Sequence, residues 1–217
     1  REVLGRDAGL SVNDVFVAPD GAVAILGADV GESAVDFVAP GVALWLVEDA
    51  GPRRLTDAEA IDLGEGGSHI DADGDDFLVQ DRTRGRLRLL RVTRAGDVAE
   101  VLGGDVEVNG HATANGRTVA SLTTADSFGE FAVVEDGRAR ALTSFGDGAQ
   151  AAGIVAPREV TVTGRDGYPV HGWVAKPTGE GPFPVILQIH CGPYASYGIH
   201  LFDETQVLVD AGYAVVY

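Results

Sequence analysis

Short glycine-containing turns recur along the first 150 residues, each between two runs of apolar and β-branched residues. Three of them are Asp20-Gly21, Asp73-Gly74 and Asn115-Gly116. Because Gly and Asn adopt positive φ with little strain, Asp-Gly or Asn-Gly between apolar runs is typical of a tight β-hairpin. The pattern predicts repeated antiparallel hairpins, and the region has no convincing helical pattern.

Each repeat also ends on a similar phrase. The three phrases are Arg53-Arg-Leu-Thr56, Ala99-Glu-Val-Leu102 and Arg140-Ala-Leu-Thr143. A repeat of about 40–50 residues with about four short strands is typical of one β-propeller blade. A β-sandwich also has short strands, but it would not repeat the turn and the closing phrase together. Residues 1–150 are therefore predicted to form a partial β-propeller of about three blades. Since three blades cannot close a ring, we expect more of the propeller upstream.

The chain changes character near residue 150, where residues 144–156 are small, polar and glycine-containing, as in a linker. Two predicted strands, 158–163 and 168–175, follow as a hairpin. The near-continuous apolar run 185–189 predicts a buried, central strand. A predicted helix, 203–211, and a predicted strand, 214–217, complete a parallel α/β unit. Residues 151–217 are therefore expected to be a separate α/β domain.

The predicted helix carries its own start and stop signals. Asp203 with Gln206 three residues later can form a capping box. Gly212 stands where a glycine commonly ends a helix in the left-handed conformation.

The charge of the chain restricts its partners. It has 16 Lys and Arg against 33 Asp and Glu, a formal net charge of −17. Phosphate binding needs clustered basic residues, so we expect no nucleic-acid partner. The basic residues that do cluster are Arg82, Arg84, Arg86, Arg88, Arg91 and Arg94. Their alternation from Arg84 to Arg88 indicates a solvated strand face rather than a binding patch.

Metal and cofactor motifs are not convincing. The run Asp71-Ala-Asp-Gly-Asp-Asp76 has its glycine at the fourth position, whereas a calcium loop needs it at the sixth. His69 and His111 have no Cys or His at ligand spacing and are interpreted as ordinary strand histidines. We therefore expect no metal site and no cofactor.

Nothing in the sequence indicates a membrane partner. No apolar run approaches the ~20 residues that cross a bilayer, and no signal peptide opens the chain. These features favour a cytoplasmic location. The chain has no methionine and its last residue lies within an apolar run, so we interpret it as an internal piece of a longer protein.

Several phrases of the last 60 residues occur in the order seen in one enzyme family. They are Arg158-Glu159, Asp166-Gly167, Gly172-Trp173, Pro177, His190-Cys-Gly-Pro193 and Ala211-Gly-Tyr-Ala-Val-Val216. On these residues the chain resembles the prolyl oligopeptidase family of serine peptidases, especially its acylaminoacyl-peptidase and dipeptidyl-peptidase branch. The resemblance implies a propeller capping an α/β-hydrolase domain, a Ser-Asp-His triad and a substrate that is a short peptide or blocked N-terminal residue.

No Gly-x-Ser-x-Gly elbow occurs in the 217 residues, so the triad is expected downstream and the piece by itself is expected to be inactive. The resemblance implies that the loop after the third strand gives one oxyanion-hole donor, the backbone N–H of Gly192. His190, Cys191 and Pro193 are expected to shape that loop. Cys191 stands where the family usually has glycine and is interpreted as a packing residue rather than a nucleophile.

Two alternatives remain open at this point. One is a propeller binding module fused to an inactive hydrolase-like domain, and the other is an esterase of the same fold. A homo-oligomer is also left open. A Gly-x-Ser-x-Gly elbow further along the full-length sequence, followed by Asp and His, would favour the enzymes.

Overall fold

The computed structural model describes residues 4–5, 8–31, 40–190 and 196–217. This part of the chain is mostly β-sheet, in three sheets, with two short helices. Its strands are β1 (Leu10–Val17), β2 (Val23–Asp29), β3 (Val42–Glu48), β4 (Gly51–Arg54), β5 (Asp71–Asp73), β6 (Asp76–Thr83), β7 (Arg86–Val92), β8 (Val98–Leu102), β9 (Glu107–Ala114), β10 (Arg117–Thr124), β11 (Ser127–Glu135), β12 (Arg138–Ala141), β13 (Arg158–Thr163), β14 (Pro169–Ala175), β15 (Val185–Leu187) and β16 (Ala214–Val216). The helices are α1 (Asp147–Ala151) and α2 (Asp203–Asp210).

The first twelve strands form three antiparallel meanders of four strands each: β1–β4, β5–β8 and β9–β12. In every meander a predicted glycine turn joins the first and second strands, and the predicted closing phrase supplies or overlaps the fourth. The predicted four-strand repeat is therefore confirmed. The second and third meanders share one sheet, because β7 and β9 meet in parallel where Leu87 pairs with Glu107.

Apolar layers between consecutive meanders hold this region together. Strand β6 is buried on both faces because successive side chains of a strand point to opposite sides. Phe77 and Val79 pack with β2 and β3 of the first meander. Leu78 packs with Val108 and Ala120 of the third. Burying a side chain of this size stabilises the fold by about 1.5–3 kcal/mol.

The predicted linker is not wholly irregular, because the five-residue helix α1 lies within it. Ahead of α1, the carboxylate of Glu130 accepts hydrogen bonds from the backbone N–H groups of Phe145 (3.1 Å) and Gly146 (2.7 Å). It also accepts from the hydroxyls of Thr143 and Ser127. These donors, led by Thr143, lower the pKa of Glu130 to about 2. One carboxylate thus fixes the start of the linker to β11.

Strands β13–β16 form a third sheet in the order β13-β14-β16-β15, with β16 antiparallel to β14 and parallel to β15. Within these 217 residues β15 lies at the edge of the sheet, because β16 lies between β14 and β15, and Val185 and Leu187 are each 65 % exposed. The strand that was predicted to be central and buried is thus an edge strand in the sheet that these residues form. Helix α2 packs on this sheet through Val209, against Ala175 and Val215.

The predicted signals for the two ends of α2 have different outcomes. The predicted capping box is wrong: Phe202 is the N-cap, with no side-chain cap bond. Gln206 instead donates to the Val155 carbonyl (3.0 Å) and accepts from its N–H (2.8 Å), because the linker passes alongside. The C-terminal signal is confirmed. Gly212 has φ +96°, its N–H donates to Val209, and that of Tyr213 donates to Leu208, as in a Schellman motif.

The arginine-rich segment is not a simple solvated face. Within the described residues, five of its six arginines form ion pairs with carboxylates of neighbouring strands or loops: Arg82, Arg86, Arg88, Arg91 and Arg94. Arg88 lies opposite Asp81 in the β6–β7 pairing, and its Nε is 2.6 Å from that fully buried carboxylate. Burial raises the pKa of Asp81 despite the arginine. The alternation of arginines with other residues correctly predicted a strand, but it could not reveal the carboxylates with which the arginines pair.

In the described ranges, neither helix is long and apolar enough to cross a membrane.

Candidate active site

The carboxyl ends of β15 and β16 lie at one edge of the third sheet because these strands are parallel. Ligands bind at such edges in α/β sheets. Gln188 donates its N–H to the Val216 carbonyl (2.9 Å), and His190 follows as an exposed residue. The His190 ring meets Tyr197 edge-on at 6.2 Å, and it has no hydrogen bond to any described residue. Cys191, Gly192 and Pro193 lie outside the described residues, so their expected roles stay predictions.

An aromatic cluster covers this edge. The backbones of Trp173 and Tyr217 exchange two hydrogen bonds (2.7 and 3.0 Å), and their rings stack at 5.7 Å. Tyr197 meets Tyr217 edge-on at 5.9 Å. Gly172 permits this arrangement, since a Cβ there would lie 2.4 Å from the Tyr217 carbonyl oxygen. Packing against Tyr217 thus explains the Gly172-Trp173 phrase. Burial of the Tyr217 side chain raises the pKa of its hydroxyl.

The aromatic cluster borders a cavity of about 310 Å³. Gln188 and His190 line it from the strand ends, and Gly85 closes it from the second meander. The Nε1 of Trp173 is buried with no hydrogen-bond partner among the described residues. The cavity therefore combines apolar rings with a few polar groups, as small-molecule and peptide sites commonly do.

A two-residue turn of the second meander, Arg84-Gly85, touches this edge directly. A Cβ on Gly85 would lie 2.1 Å from the Trp173 ring and 2.8 Å from the Cα of Gly198. Ile199 donates its N–H to the Gly85 carbonyl (2.8 Å). The absence of a side chain at Gly85 therefore allows the meanders and the third sheet to approach closely.

An ion pair joins the third meander to the segment before α2. His200 Nδ1 lies 2.9 Å from each carboxylate oxygen of Glu107, the first residue of β9. Both side chains are largely buried, with exposures of 24 % and 12 %. The hydrogen bond to Glu107 raises the pKa of His200, against an opposing effect of burial.

A second ionic contact lies nearby. Arg86 Nη2 is 2.7 Å from both Asp105 and Glu159, the latter in β13. His171 lies 2.5 Å from the other oxygen of Glu159. The pKa of Glu159 is lowered to about 2, mainly by the hydrogen bond from Arg86 and to a smaller extent by that from His171. The carboxylate is thus held charged between the meanders and the third sheet.

These contacts border a polar cavity of about 330 Å³, which adjoins the aromatic one at Gly85 and Ser196. Its charged lining residues are Asp62, Glu65, Arg82, Arg84, Arg86, Glu107 and His200. Sequence reasoning missed this cavity, because its residues come from four separate segments. One local signal was available: Arg84-Gly85 lies between strand residues as Asn115-Gly116 does.

The two histidines of the meanders also meet, although 42 residues separate them. Their rings stack at 4.2 Å, and His69 Nε2 lies 2.9 Å from the His111 carbonyl oxygen. His111 lies in β9, but His69 lies outside the strands. Burial, with His69 nearby, lowers the pKa of His111 to about 4. No group of three or more metal-binding side chains occurs in the described ranges. The two histidine rings form a packed pair that lines neither of the two cavities described above.

Three antiparallel meanders packed against a mixed sheet form a fold that this chain shares with parts of solved peptidases. Among solved structures, the chain is similar to the Pyrococcus horikoshii acylaminoacyl peptidase, with a TM-score of 0.75 and 21 % identity. The match covers 96 % of this chain and 31 % of that one. A Mycobacterium tuberculosis puromycin-hydrolyzing peptidase matches with a TM-score of 0.65 and 18 % identity over 95 % of this chain and 33 % of its own.

A curated protein with clear sequence similarity is the uncharacterised peptidase YuxL of Bacillus subtilis, 46 % identical over 67 residues. That match covers 30 % of this chain and 10 % of YuxL. No family model matches the chain. The sequence match thus spans about a tenth of this curated relative, and the chain spans about a third of the solved structures. The resemblance to prolyl oligopeptidase-type peptidases predicted from the sequence is confirmed.

Proposed function

We propose that the full-length protein is a serine peptidase that hydrolyses short peptides or N-terminal residues through an acyl-enzyme. The observation that carries the proposal is the match to acylaminoacyl peptidase, which includes the meanders and the third sheet in one superposition covering 96 % of the chain. The sequence likeness to a curated peptidase supports it independently.

In this proposal, residues 1–150 are three blades of a β-propeller and residues 151–217 begin an α/β-hydrolase domain. The meanders have the four-stranded form of blades, and their faces pack against one another as neighbouring blades do. The parallel β15–β16 pair with α2 as its crossover has the form of an α/β unit. The Arg84-Gly85 turn and the Glu107–His200 pair would join the two domains.

Within the enzyme, this part of the chain would prepare the site for acyl transfer rather than supply the nucleophile. The Gly192 N–H is proposed as one oxyanion-hole donor, about 2.7–3.1 Å from the oxygen of the tetrahedral intermediate. Losing one such donor lowers kcat by about 10²–10³-fold. His190 and Pro193 would shape the loop, and Cys191 would pack within it. The blades would restrict access to large substrates.

Activity-based labelling tests the proposal. The full-length protein should react with a fluorophosphonate serine probe and hydrolyse aminoacyl- or acylaminoacyl-anilides, whereas the 217-residue piece should do neither. Peptide mapping should place the label on a serine in a Gly-x-Ser-x-Gly sequence outside these residues. A full-length protein that neither reacts with the probe nor cleaves any anilide would overturn the proposal.

The oxyanion donor has a separate test. A structure of the full-length protein with a boronate adduct should place the adduct oxygen within hydrogen-bonding distance of the Gly192 nitrogen. Cys191→Gly should retain most activity, because it restores the residue usual in the resembled family. If Cys191→Gly reduces activity to background, the thiol rather than the loop backbone carries the chemistry.

A further inference from the structure

In the part of the chain that the structure describes, three two-residue hairpin turns have positive φ at both central residues, the geometry of a type I′ turn. They are Asn115-Gly116, Asp136-Gly137 and Arg84-Gly85, and the strand residues flanking each are paired. Asn and Asp tolerate positive φ better than other side chains do, whereas an arginine there is strained. Arg84 has φ +47° where the other two turns have the expected residues.

The strained turn is held in place from several sides. Gly85 is wedged against Trp173 and Gly198 and accepts the Ile199 N–H. Arg86 donates from Nη1 to the Arg84 carbonyl (3.2 Å). Strained residues that persist in such rigid surroundings concentrate at functional sites. This turn lines the polar cavity, which adjoins the cavity bordered by the aromatic cluster of Trp173, Tyr197 and Tyr217.

Every charged side chain that lines the polar cavity, apart from Arg84, has an ion-pair partner among the described residues. Arg82 pairs with Asp62 (2.8 Å) and lies 3.8 Å from Glu65. Glu107 pairs with His200, and Arg86 with two carboxylates. Arg84 is exposed and forms no ion pair with any described residue. Arg84 is therefore the charged residue of this cavity whose guanidinium has no carboxylate partner among the described residues, in a chain whose net charge is −17.

We infer that Arg84 is a substrate-binding residue that recognises a carboxylate of the peptide. A guanidinium binds a carboxylate through two parallel hydrogen bonds, which gives geometric selectivity as well as affinity. The polar cavity adjoins the aromatic one at Gly85 and Ser196, so a peptide lying at the strand ends can extend to Arg84. The inference rests on the proposed peptidase function and adds its substrate class. The carboxylate comes from the C-terminus of the peptide or from an acidic acyl group at its N-terminus.

The test compares three peptides of one core sequence in the full-length protein. One is N-acetylated with a C-terminal amide, one is N-succinylated with the amide, and one is N-acetylated with a free C-terminal carboxylate. We expect a higher kcat/KM for one of the two carboxylate peptides than for the neutral one. The peptide that is preferred identifies the source of the carboxylate. Arg84→Asn should raise KM for that peptide roughly 10- to 100-fold, the effect of losing a charge-assisted pair. Arg84→Lys should have a KM for that peptide between those of the wild type and of Arg84→Asn.

Melting temperatures distinguish a variant that has lost binding from one that has lost folding. Because Asn suits the turn, Arg84→Asn should raise the melting temperature by a few degrees while weakening the carboxylate preference. The matched control Asn115→Arg should lower the melting temperature and leave the preference unchanged. Equal use of all three peptides by the wild type, or a preference that survives Arg84→Asn, overturns the inference while the peptidase stands. If no peptide is hydrolysed, the proposed function fails, and thermal shifts with the same peptides decide whether Arg84 binds a carboxylate.

Discussion

His200 Nδ1 lies 2.9 Å from both carboxylate oxygens of Glu107, a residue 93 positions earlier in the chain. Glu107 begins β9 of the third meander, and His200 precedes α2 on the third sheet. One partly buried ion pair therefore couples the packing of the two regions to the protonation of a histidine.

The first prediction concerns the pH dependence of this contact. Because Glu107 raises the pKa of His200 above its ordinary value of 6.5, the stabilisation is fully present below pH 6.5. It is lost as the pH rises through the raised value. Melting temperatures of the full-length protein should fall between pH 6 and pH 9 more steeply than those of His200→Gln. Parallel curves for the two proteins would contradict the assignment.

A second prediction concerns Glu159, whose pKa is lowered to about 2 by Arg86 and His171. A depressed pKa contributes stability above the ordinary value of 4.5, and the contribution is lost as the pH falls toward 2. The side chain is 41 % exposed, so solvent screening limits the effect. Glu159→Gln should cost about 0.2–1 kcal/mol at pH 7. The difference from wild type, measured by urea unfolding, should shrink below pH 4; a constant difference would count against the ion pairs.

A third prediction compares two glycines with nearly the same backbone angle. At Gly74 (φ +66°) an added Cβ would have no atom within 4 Å, whereas at Gly85 (φ +67°) it would collide with Trp173. Gly74→Ala should therefore show only the backbone strain, about 1 kcal/mol. Gly85→Ala should lose about 1–3 kcal/mol more from overpacking and alter Trp173 fluorescence. Equal losses of unfolding free energy would mean that the Gly85 contact is not tight in solution.

A fourth prediction concerns the start of the linker. Glu130 accepts hydrogen bonds from Phe145, Gly146 and Thr143, and these donors favour its charged form. Glu130→Gln removes the charge, so amide hydrogen exchange at Phe145 and Gly146 should become faster. Glu135→Gln, in the same strand, is the matched control, since Glu135 pairs with Arg140 at the surface. Unchanged exchange in the Glu130 variant would show that the linker is fixed by other contacts.

Local sequence determined the hairpins and the end of α2. Positive φ is a property of single residues, so Asp20-Gly21, Asn115-Gly116 and Gly212 could be located without knowledge of the fold. The repeat of turns and closing phrases then predicted the three meanders. Each turn and each closing phrase spans only a few residues, and over that length backbone sterics outweigh distant contacts.

Contacts between distant segments were decided only by the tertiary structure. The stack of His69 on His111, the Glu107–His200 pair and the wedge of Gly85 on Trp173 join residues 42 to 93 positions apart, and no periodicity encodes them. The same reason explains the wrong capping box, since Gln206 bonds the linker rather than the helix end. It also explains why β16, the last strand in the chain, lies between β14 and β15. A side chain's hydrogen-bond partner and a strand's position in its sheet depend on which segments pack together, and the free energy of that packing belongs to the whole fold.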